Sequence, residues 1–221
     1  MHFSPMIPAS MLPNEENVSS KCKEFDADPF PDEALKVLFT QYPRNDNYSH
    51  VLLKVVSLNR LYNAGILNPY PVARHINDHA QEIDSGLSGG SPEVVDIITP
   101  VRMNAAGKVV HFWAFATKYC SFHRPEIYPI WDANVARYLR SLKGSDFTQP
   151  EKWTDYPRFA DCGGSAGGAR WRPDNWAHYR EFVSLMNRFR DFYNLRSFTF
   201  KDIDKFLFLS GGELKKSDLR S

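Results

Sequence analysis

Residues Gly107 to Leu142 read GKVVHFWAFATKYCSFHRPEIYPIWDANVARYLRSL, and two helical patterns in them flank a proline-bracketed segment. The apolar spacing from Val109 to Phe122 predicts an aromatic-rich helix. That helix is expected to end at Arg124–Pro125, because the residue before a proline is disfavoured in the α conformation. Tyr128–Trp131 then predicts an extended apolar crossing. Asp132 follows at an N-cap position and opens a second helix that runs to Leu142.

The composition around this stretch indicates a globular chain. With 221 residues, 43% of them apolar, the chain can bury one good core or two small ones. It contains neither an apolar run of about 18 residues nor a signal-peptide pattern, so we expect a cytoplasmic protein with no membrane partner. Residues 1–50 hold 4 Lys and Arg against 8 Asp and Glu, and residues 51–221 hold 23 against 18. A basic body after an acidic start is compatible with polyanion binding but does not require it.

The cysteines predict neither a disulfide framework nor a metal centre. Cys22, Cys120 and Cys162 are widely separated and odd in number, which favours a reducing compartment. Cys120 and His123 have a metal-like spacing, but no second pair of ligands accompanies them. We therefore expect no metal and no cofactor.

Upstream of the central stretch, the chain is expected to begin with disorder and continue with helices. Residues 1–28 are rich in Pro, Ser, Asn and Glu, which predicts a disordered segment. Residues 29–221 are expected to form a single all-helical domain, with two lobes around a cleft as an alternative. Helices are predicted over 31–41, 49–62, 72–83 and 92–99. In the second of these, one face is predicted to carry Leu52, Val55, Val56, Asn59 and Tyr62.

Downstream, a glycine-rich segment separates the central stretch from two final helices. Residues 144–172 include CGGSAGGAR and predict a mobile loop. A long amphipathic helix is expected from Asp174 to about Tyr193, followed by a short one from Thr199 to Leu209. No alternating strand pattern is evident, so the fold class expected is all-α. The predicted core face of the long helix is Phe182, Leu185, Met186, Phe189 and Phe192.

Between the 92–99 helix and the aromatic helix lies Asn104–Gly107, a hairpin ending in glycine. A helix, a hairpin and a helix, followed by Tyr128–Val135 (YPIWDANV), resemble the helix-hairpin-helix DNA glycosylase superfamily. The position of Ala116–Lys118 (ATK) is similar to that of the archaeal 8-oxoguanine glycosylases. The resemblance covers about residues 50–142 and implies a helix-hairpin-helix glycosylase-like helical fold. It also implies a monomeric, nucleoid-associated enzyme that flips and excises a damaged or modified base from duplex DNA.

The resemblance implies catalytic roles for Lys118 and Asp132. Cleavage of an N-glycosidic bond develops positive charge on the sugar, which a fixed carboxylate stabilises. A lysine attacks C1′ only as the neutral amine, which burial among aromatic side chains favours. Lys108, directly after the hairpin glycine, is a rival nucleophile. The excised base, and whether the enzyme also cleaves the strand as an AP lyase, remain open.

The resemblance also implies residues that contact DNA. Asn59 and Arg60 occupy the place of residues that enter the duplex, although Asn59 could instead satisfy a hydrogen bond in the core. Backbone N–H groups of the hairpin would hold a phosphate. The alternative function is a non-catalytic helix-hairpin-helix protein for DNA binding or interaction. The DNA-binding residues expected are Asn59, Arg60, Gly107, Lys108, Arg170, Arg172 and Arg188.

Overall fold

The computed structural model describes residues 7–142 and 179–218, and the prediction of a mainly α-helical fold is confirmed there. A short 3-10 turn, Ala9–Met11, precedes the first helix. Among the described helices, none is both long and apolar enough to cross a membrane. The elements that follow the 3-10 turn are α1 (Glu15–Asp26), α2 (Phe30–Gln41), α3 (Tyr48–Tyr62), α4 (Pro69–Asp78), α5 (Ala80–Gly89), α6 (Glu93–Ile98), β1 (Pro100–Arg102), β2 (Val109–His111), α7 (Trp113–His123), α8 (Ala133–Ser141), α9 (Tyr179–Phe192) and α10 (Phe200–Asp218).

The chain divides into two compact units. The continuous unit is Lys23–Asp132, and the terminal unit combines Met1–Cys22 with Ala133–Ser221. The sequence predicted an ordered body that begins at residue 29. The structure instead groups residues before position 23 with the C-terminal helices.

Helix α3 lies at the centre of the continuous unit, where it packs against α2, α4 and α7. Asn47 caps its N-terminus through the side-chain oxygen, and Asn63 ends it in the left-handed conformation. The predicted face is only partly the buried one, since Val55 is buried but Val56 is 43% exposed. One position of the buried face is occupied by Lys54. Because a lysine is not expected to be buried, the apolar pattern predicted a neighbouring face instead. The buried residues of α3 are Val51, Lys54, Val55 and Leu58.

A β-hairpin joins α6 to α7, which corrects two expectations. The sequence predicted no strand and a helix beginning at Val109, but β1 and β2 pair antiparallel with Val101 opposite Val110. The N–H of Phe112 donates to the carbonyl of Thr99 at 2.9 Å, just before α7 begins. A short apolar run fits either a strand or the first turn of a helix, so the pairing partner decides its conformation.

Helix α1 contradicts the expectation that residues 1–28 are disordered. Val18 is completely buried, and the ammonium group of Lys21 pairs with the carboxylate of Glu213 in α10. The segment is too polar to predict a helix from its own composition. Its order follows from contacts with residues near the other end of the chain.

Helices α8 and α10 approach closely in the terminal unit. A Cβ atom built on Gly211 would lie 2.0 Å from the backbone oxygen of Asn134, whereas one on Gly212 would lie 3.5 Å from the nearest atom, in the Asn134 side chain. Arg137 adds a hydrogen bond from its guanidinium to the Gly211 carbonyl at 3.1 Å. Only a residue without a side chain fits at position 211.

Helix α9 confirms most of the predicted core face. Phe182, Leu185, Met186 and Phe189 are buried, but Phe192 is 41% exposed, so that residue was placed wrongly. The final helix continues past the predicted end at Leu209. The predicted mobile loop, 144–172, lies outside the described residues.

Candidate active site

Lys118 and Asp132 form a buried ion pair. The Lys118 ammonium donates to Oδ2 of Asp132 at 3.0 Å, and the two residues are 4% and 8% exposed. The two residues meet because α7 carries Lys118 and the extended segment after α7 folds back to place Asp132 beside it. Removing both charges from water costs several kcal/mol per ion, so a buried pair is a weak source of stability. Such pairs are therefore candidates for a functional role.

Thr117 positions the two charged residues relative to each other. Its hydroxyl oxygen accepts the N–H of Trp131 at 3.1 Å and donates to the Trp131 carbonyl at 3.2 Å. The residue before the lysine is thus bonded to the residue before the aspartate. Sequence reasoning did not single out Thr117. A hydroxyl within an otherwise apolar helical run was the available signal.

The extended segment that delivers Asp132 is anchored further upstream. The Tyr128 hydroxyl donates to the carbonyl of Ser91 at 2.9 Å, and the Arg124 guanidinium donates to the carbonyl of Leu87 at 3.1 Å. These bonds fix the segment to the end of α5 and the start of α6. The position of the carboxylate therefore depends on the fold of the whole continuous unit.

The glycine hairpin does not have the geometry that the resemblance implied. Gly107, with φ +83°, lies in the β1–β2 turn and is separated from the N-terminus of α7 by β2. Its N–H donates to the carbonyl of Asn104, and the N–H of Lys108 donates to the Asn104 side chain, each at 3.1 Å. Both N–H groups are therefore already hydrogen-bonded within the turn. The expectation that they hold a phosphate is not supported. The side chain of Lys108 is exposed.

Asn59 serves the core, which was the alternative left open by the sequence. Its side-chain amide donates to the carbonyl of Ile66 at 2.8 Å, and its side-chain oxygen accepts the N–H of Ile66 at 2.9 Å. These bonds hold the loop between α3 and α4, so the role of Asn59 in entering a duplex is not supported. Arg60, one residue later, is exposed.

We expect Asn59→Ala to destabilise the protein by about 2 kcal/mol, because two hydrogen bonds are lost and the polar groups of Ile66 lose their partners. Urea unfolding would measure the change. Asn68→Ala removes a nearby exposed N-cap and should cost about 1 kcal/mol. An Asn59→Ala variant as stable as the wild-type protein would show that the loop is not held by this side chain.

The other predicted DNA-binding residues are Arg170, Arg172 and Arg188. Arg188 lies in α9, in the terminal unit. Arg170 and Arg172 lie outside the described residues. Over the described ranges, no group of three or more His, Cys, Asp or Glu side chains is placed to hold a metal ion.

A second buried cluster, which the sequence analysis missed, surrounds Lys54. This lysine is completely buried in α3. Its ammonium donates to the Arg44 carbonyl at 3.1 Å and to the side-chain oxygen of Asn45 at 2.7 Å, and lies 3.3 Å from Nε2 of His123. Arg44 and Asn45 supply two acceptors for the three ammonium hydrogens, and His123 supplies the third in the tautomer protonated at Nδ1. The sequence did contain a signal for this cluster: Lys54 follows Val51 by three positions and so lies on an apolar face of the helix.

Burial controls the charge of this cluster. Desolvation lowers the pKa of Lys54 to about 7, although the carboxylates of Asp84 and Asp46 oppose the shift. Burial, followed by the nearby Lys54 charge, also holds the pKa of His123 well below its usual range. The ring of Tyr119 lies 5.2 Å from the lysine nitrogen. Tyr119 is adjacent to Lys118 in α7, so the two clusters share one helix.

Comparison with known proteins gives the class of this chain. The family model of the HI_0787_N N-terminal domain matches residues 16–127, just over half of the 221 residues, and the chain belongs to that family. The match includes Lys54 and Lys118 and ends before Asp132. An uncharacterized protein of Haemophilus influenzae is 26% identical over 195 residues, which cover 86% of this chain and 83% of the relative. No solved structure gives a significant match.

Proposed function

We propose that the protein is a DNA N-glycosylase, with AP-lyase activity when an amine of the protein attacks the sugar. The observation that carries the proposal is the buried contact between the Lys118 amine and the Asp132 carboxylate, 3.0 Å apart. An amine beside a carboxylate suits displacement at an anomeric carbon, because one group attacks and the other stabilises developing positive charge.

Each group of the pair has a defined role in this proposal. Asp132 stays ionised and stabilises the positive charge that develops on the sugar, while Lys118 loses a proton to solvent before it attacks. The neutral amine then attacks C1′, and the bond from C1′ to the base breaks with its electron pair leaving on the base. The base takes up a proton, the sugar ring opens, and an imine joins Lys118 to C1′. Loss of a C2′ proton from this imine to solvent would form a C2′–C3′ double bond as the 3′ phosphate leaves, which cleaves the strand.

The substrate must be an extruded nucleotide and not a base within the stack. Lys118 and Asp132 are nearly excluded from solvent, so catalysis requires that a flipped nucleotide displaces part of what covers them. Flipping costs a few kcal/mol and is cheapest for a damaged or mispaired base. A closed pair of this kind would favour lesions over normal bases.

Borohydride trapping tests the proposal. With duplexes that contain a panel of damaged bases and abasic sites, the wild-type protein should form a covalent adduct. Lys118→Gln should form none, because the amide keeps a donor for Asp132 but is not a nucleophile. Lys36→Gln, at an exposed lysine of α2, is the matched control and should trap as the wild-type protein does. Circular dichroism would verify that the variants fold.

The outcomes separate the alternatives. Trapping that persists in Lys118→Gln but is lost in Lys108→Gln would transfer the nucleophile to the hairpin lysine. Base release without any adduct, still dependent on Asp132, would indicate water as the nucleophile and a monofunctional enzyme. Binding of duplex DNA with neither adduct nor base release across the panel would replace the enzyme with a non-catalytic DNA-binding protein.

A further inference from the structure

The β1–β2 hairpin has one covered face and one outward face. Val101 is fully buried and its cross-strand partner Val110 is partly covered, while β1 packs on α4 and α6. Because side chains alternate along a strand, the next positions point the other way. Arg102 opposite Val109, and Pro100 opposite His111, form this outward face. Arg102, Val109 and His111 are all exposed.

The outward face carries positive charge without nearby acids in the sequence. Residues 97–125 contain no Asp or Glu. Lys108 is exposed at the turn, one residue before Val109. The hairpin is therefore a cationic projection on a chain whose formal net charge is only +1.

The arginine of this face is not engaged elsewhere. Most arginines of the described residues contact a carboxylate, a carbonyl or an aromatic ring, as Arg44 does with Asp46 and Arg196 with Asp191. Arg60 and Arg102 are the two arginines in that part of the chain for which no side-chain partner is found. An unpaired guanidinium on a projecting ribbon is available for a phosphate or a base edge.

We propose that the outward face of the β1–β2 hairpin binds duplex DNA in the major groove. Arg102 on this face and Lys108 at the adjoining turn neutralise phosphates, and Val109 contacts the base edges. This inference rests on the proposed function, which makes DNA the substrate. It replaces the contact through N–H groups, which the turn itself uses, with a contact through side chains.

The dimensions of the two partners agree. The strands of a hairpin lie about 4.8 Å apart, and the major groove of B-DNA, about 12 Å wide, admits a two-stranded ribbon. Val109 is 48% exposed next to its cross-strand partner Arg102, and an apolar side chain can contact the methyl group of thymine there. Charge alone would fit any polyanion, but this combination favours duplex DNA.

The test measures the salt dependence of binding to an undamaged duplex. Removing two phosphate contacts with Arg102→Ala/Lys108→Ala should reduce the slope of log affinity against log salt by about 1.8 and weaken binding at least about tenfold at 0.1 M salt. Lys23→Ala/Lys36→Ala is the control, since it removes two exposed cations of the continuous unit. This control should leave the slope close to that of the wild-type protein.

Equal losses in the two double variants would overturn the inference, because net charge and not the hairpin would then control binding. An unchanged slope in the hairpin variant would also overturn it. Loss of binding to phosphatidylserine vesicles with unchanged duplex binding would assign the face to a lipid surface instead. Wild-type protein that binds no duplex would refute both proposals.

The two proposals can fail independently. Absent base release in a protein whose hairpin variant loses duplex affinity would remove the glycosylase and keep the docking face. Excision by a hairpin variant that binds duplex DNA as the wild-type protein does would remove the docking face and keep the enzyme.

Discussion

Lys54→Met is expected to remove a rise in unfolding free energy that the wild-type protein shows between pH 7 and pH 10.5. Burial lowers the pKa of Lys54 from 10.5 to about 7 in the folded protein. Between these values the unfolded chain binds a proton that the folded protein does not, so stability increases with pH. The slope is about 1.4 kcal/mol per pH unit, and the whole interval amounts to on the order of 5 kcal/mol.

Urea unfolding at several pH values would measure this effect as the difference between wild-type protein and variant. Below pH 7 the difference should be constant, because Lys54 is protonated in both states. Above pH 10.5 the wild-type protein gains no more from this group. Lys36→Met, at an exposed position, should run parallel to the wild-type protein. A parallel curve for Lys54→Met would show that the buried lysine keeps an ordinary pKa.

Gly211→Ala is expected to destabilise the terminal unit by about 3 kcal/mol, the upper end of the usual cost of overpacking. The added Cβ would lie 2.0 Å from the backbone oxygen of Asn134. A backbone atom cannot move aside as the end of a side chain can, so α8 and α10 would have to separate. The hydrogen bond from Arg137 to the Gly211 carbonyl would be strained by the same movement.

Gly212→Ala provides a control with the opposite sign. A Cβ at this position would be in ordinary contact, 3.5 Å from the Asn134 side chain. Alanine inside a helix is favoured over glycine by about 1 kcal/mol, so this variant should be more stable than the wild-type protein. Thermal unfolding of both variants would decide the matter, and equal melting temperatures would show that the helices do not approach closely at Gly211.

Local patterns predicted much of the helical framework. Apolar periodicity with proline and asparagine signals predicted α2, α3, α6 and α8 within a few residues. The resemblance of Tyr128–Val135 to the glycosylase segment singled out Lys118 and Asp132, and the structure brings these two residues into an ion pair. These features are determined by short stretches of sequence, so they can be predicted from local patterns.

Features that depend on distant residues were not predictable in the same way. Helix α1 is polar and is ordered through contacts such as Lys21 with Glu213. The strand at Val109 exists because it pairs with β1. The burial of Lys54 was not predicted, because a lysine within a helix normally faces solvent. The polar cluster around it was therefore missed as well.

The pairing of Lys21 with Glu213, 192 positions later in the chain, has a consequence during synthesis. The continuous unit is complete once Asp132 has been made, so it can fold while the ribosome is still translating. Helix α1 emerges first but must wait for α10. At 5–20 residues per second, that delay is roughly 10 to 40 s. Throughout this interval Lys21 and Cys22 lack the partners in α10 that they contact in the finished fold, so α1 must persist on its own or be held by a chaperone.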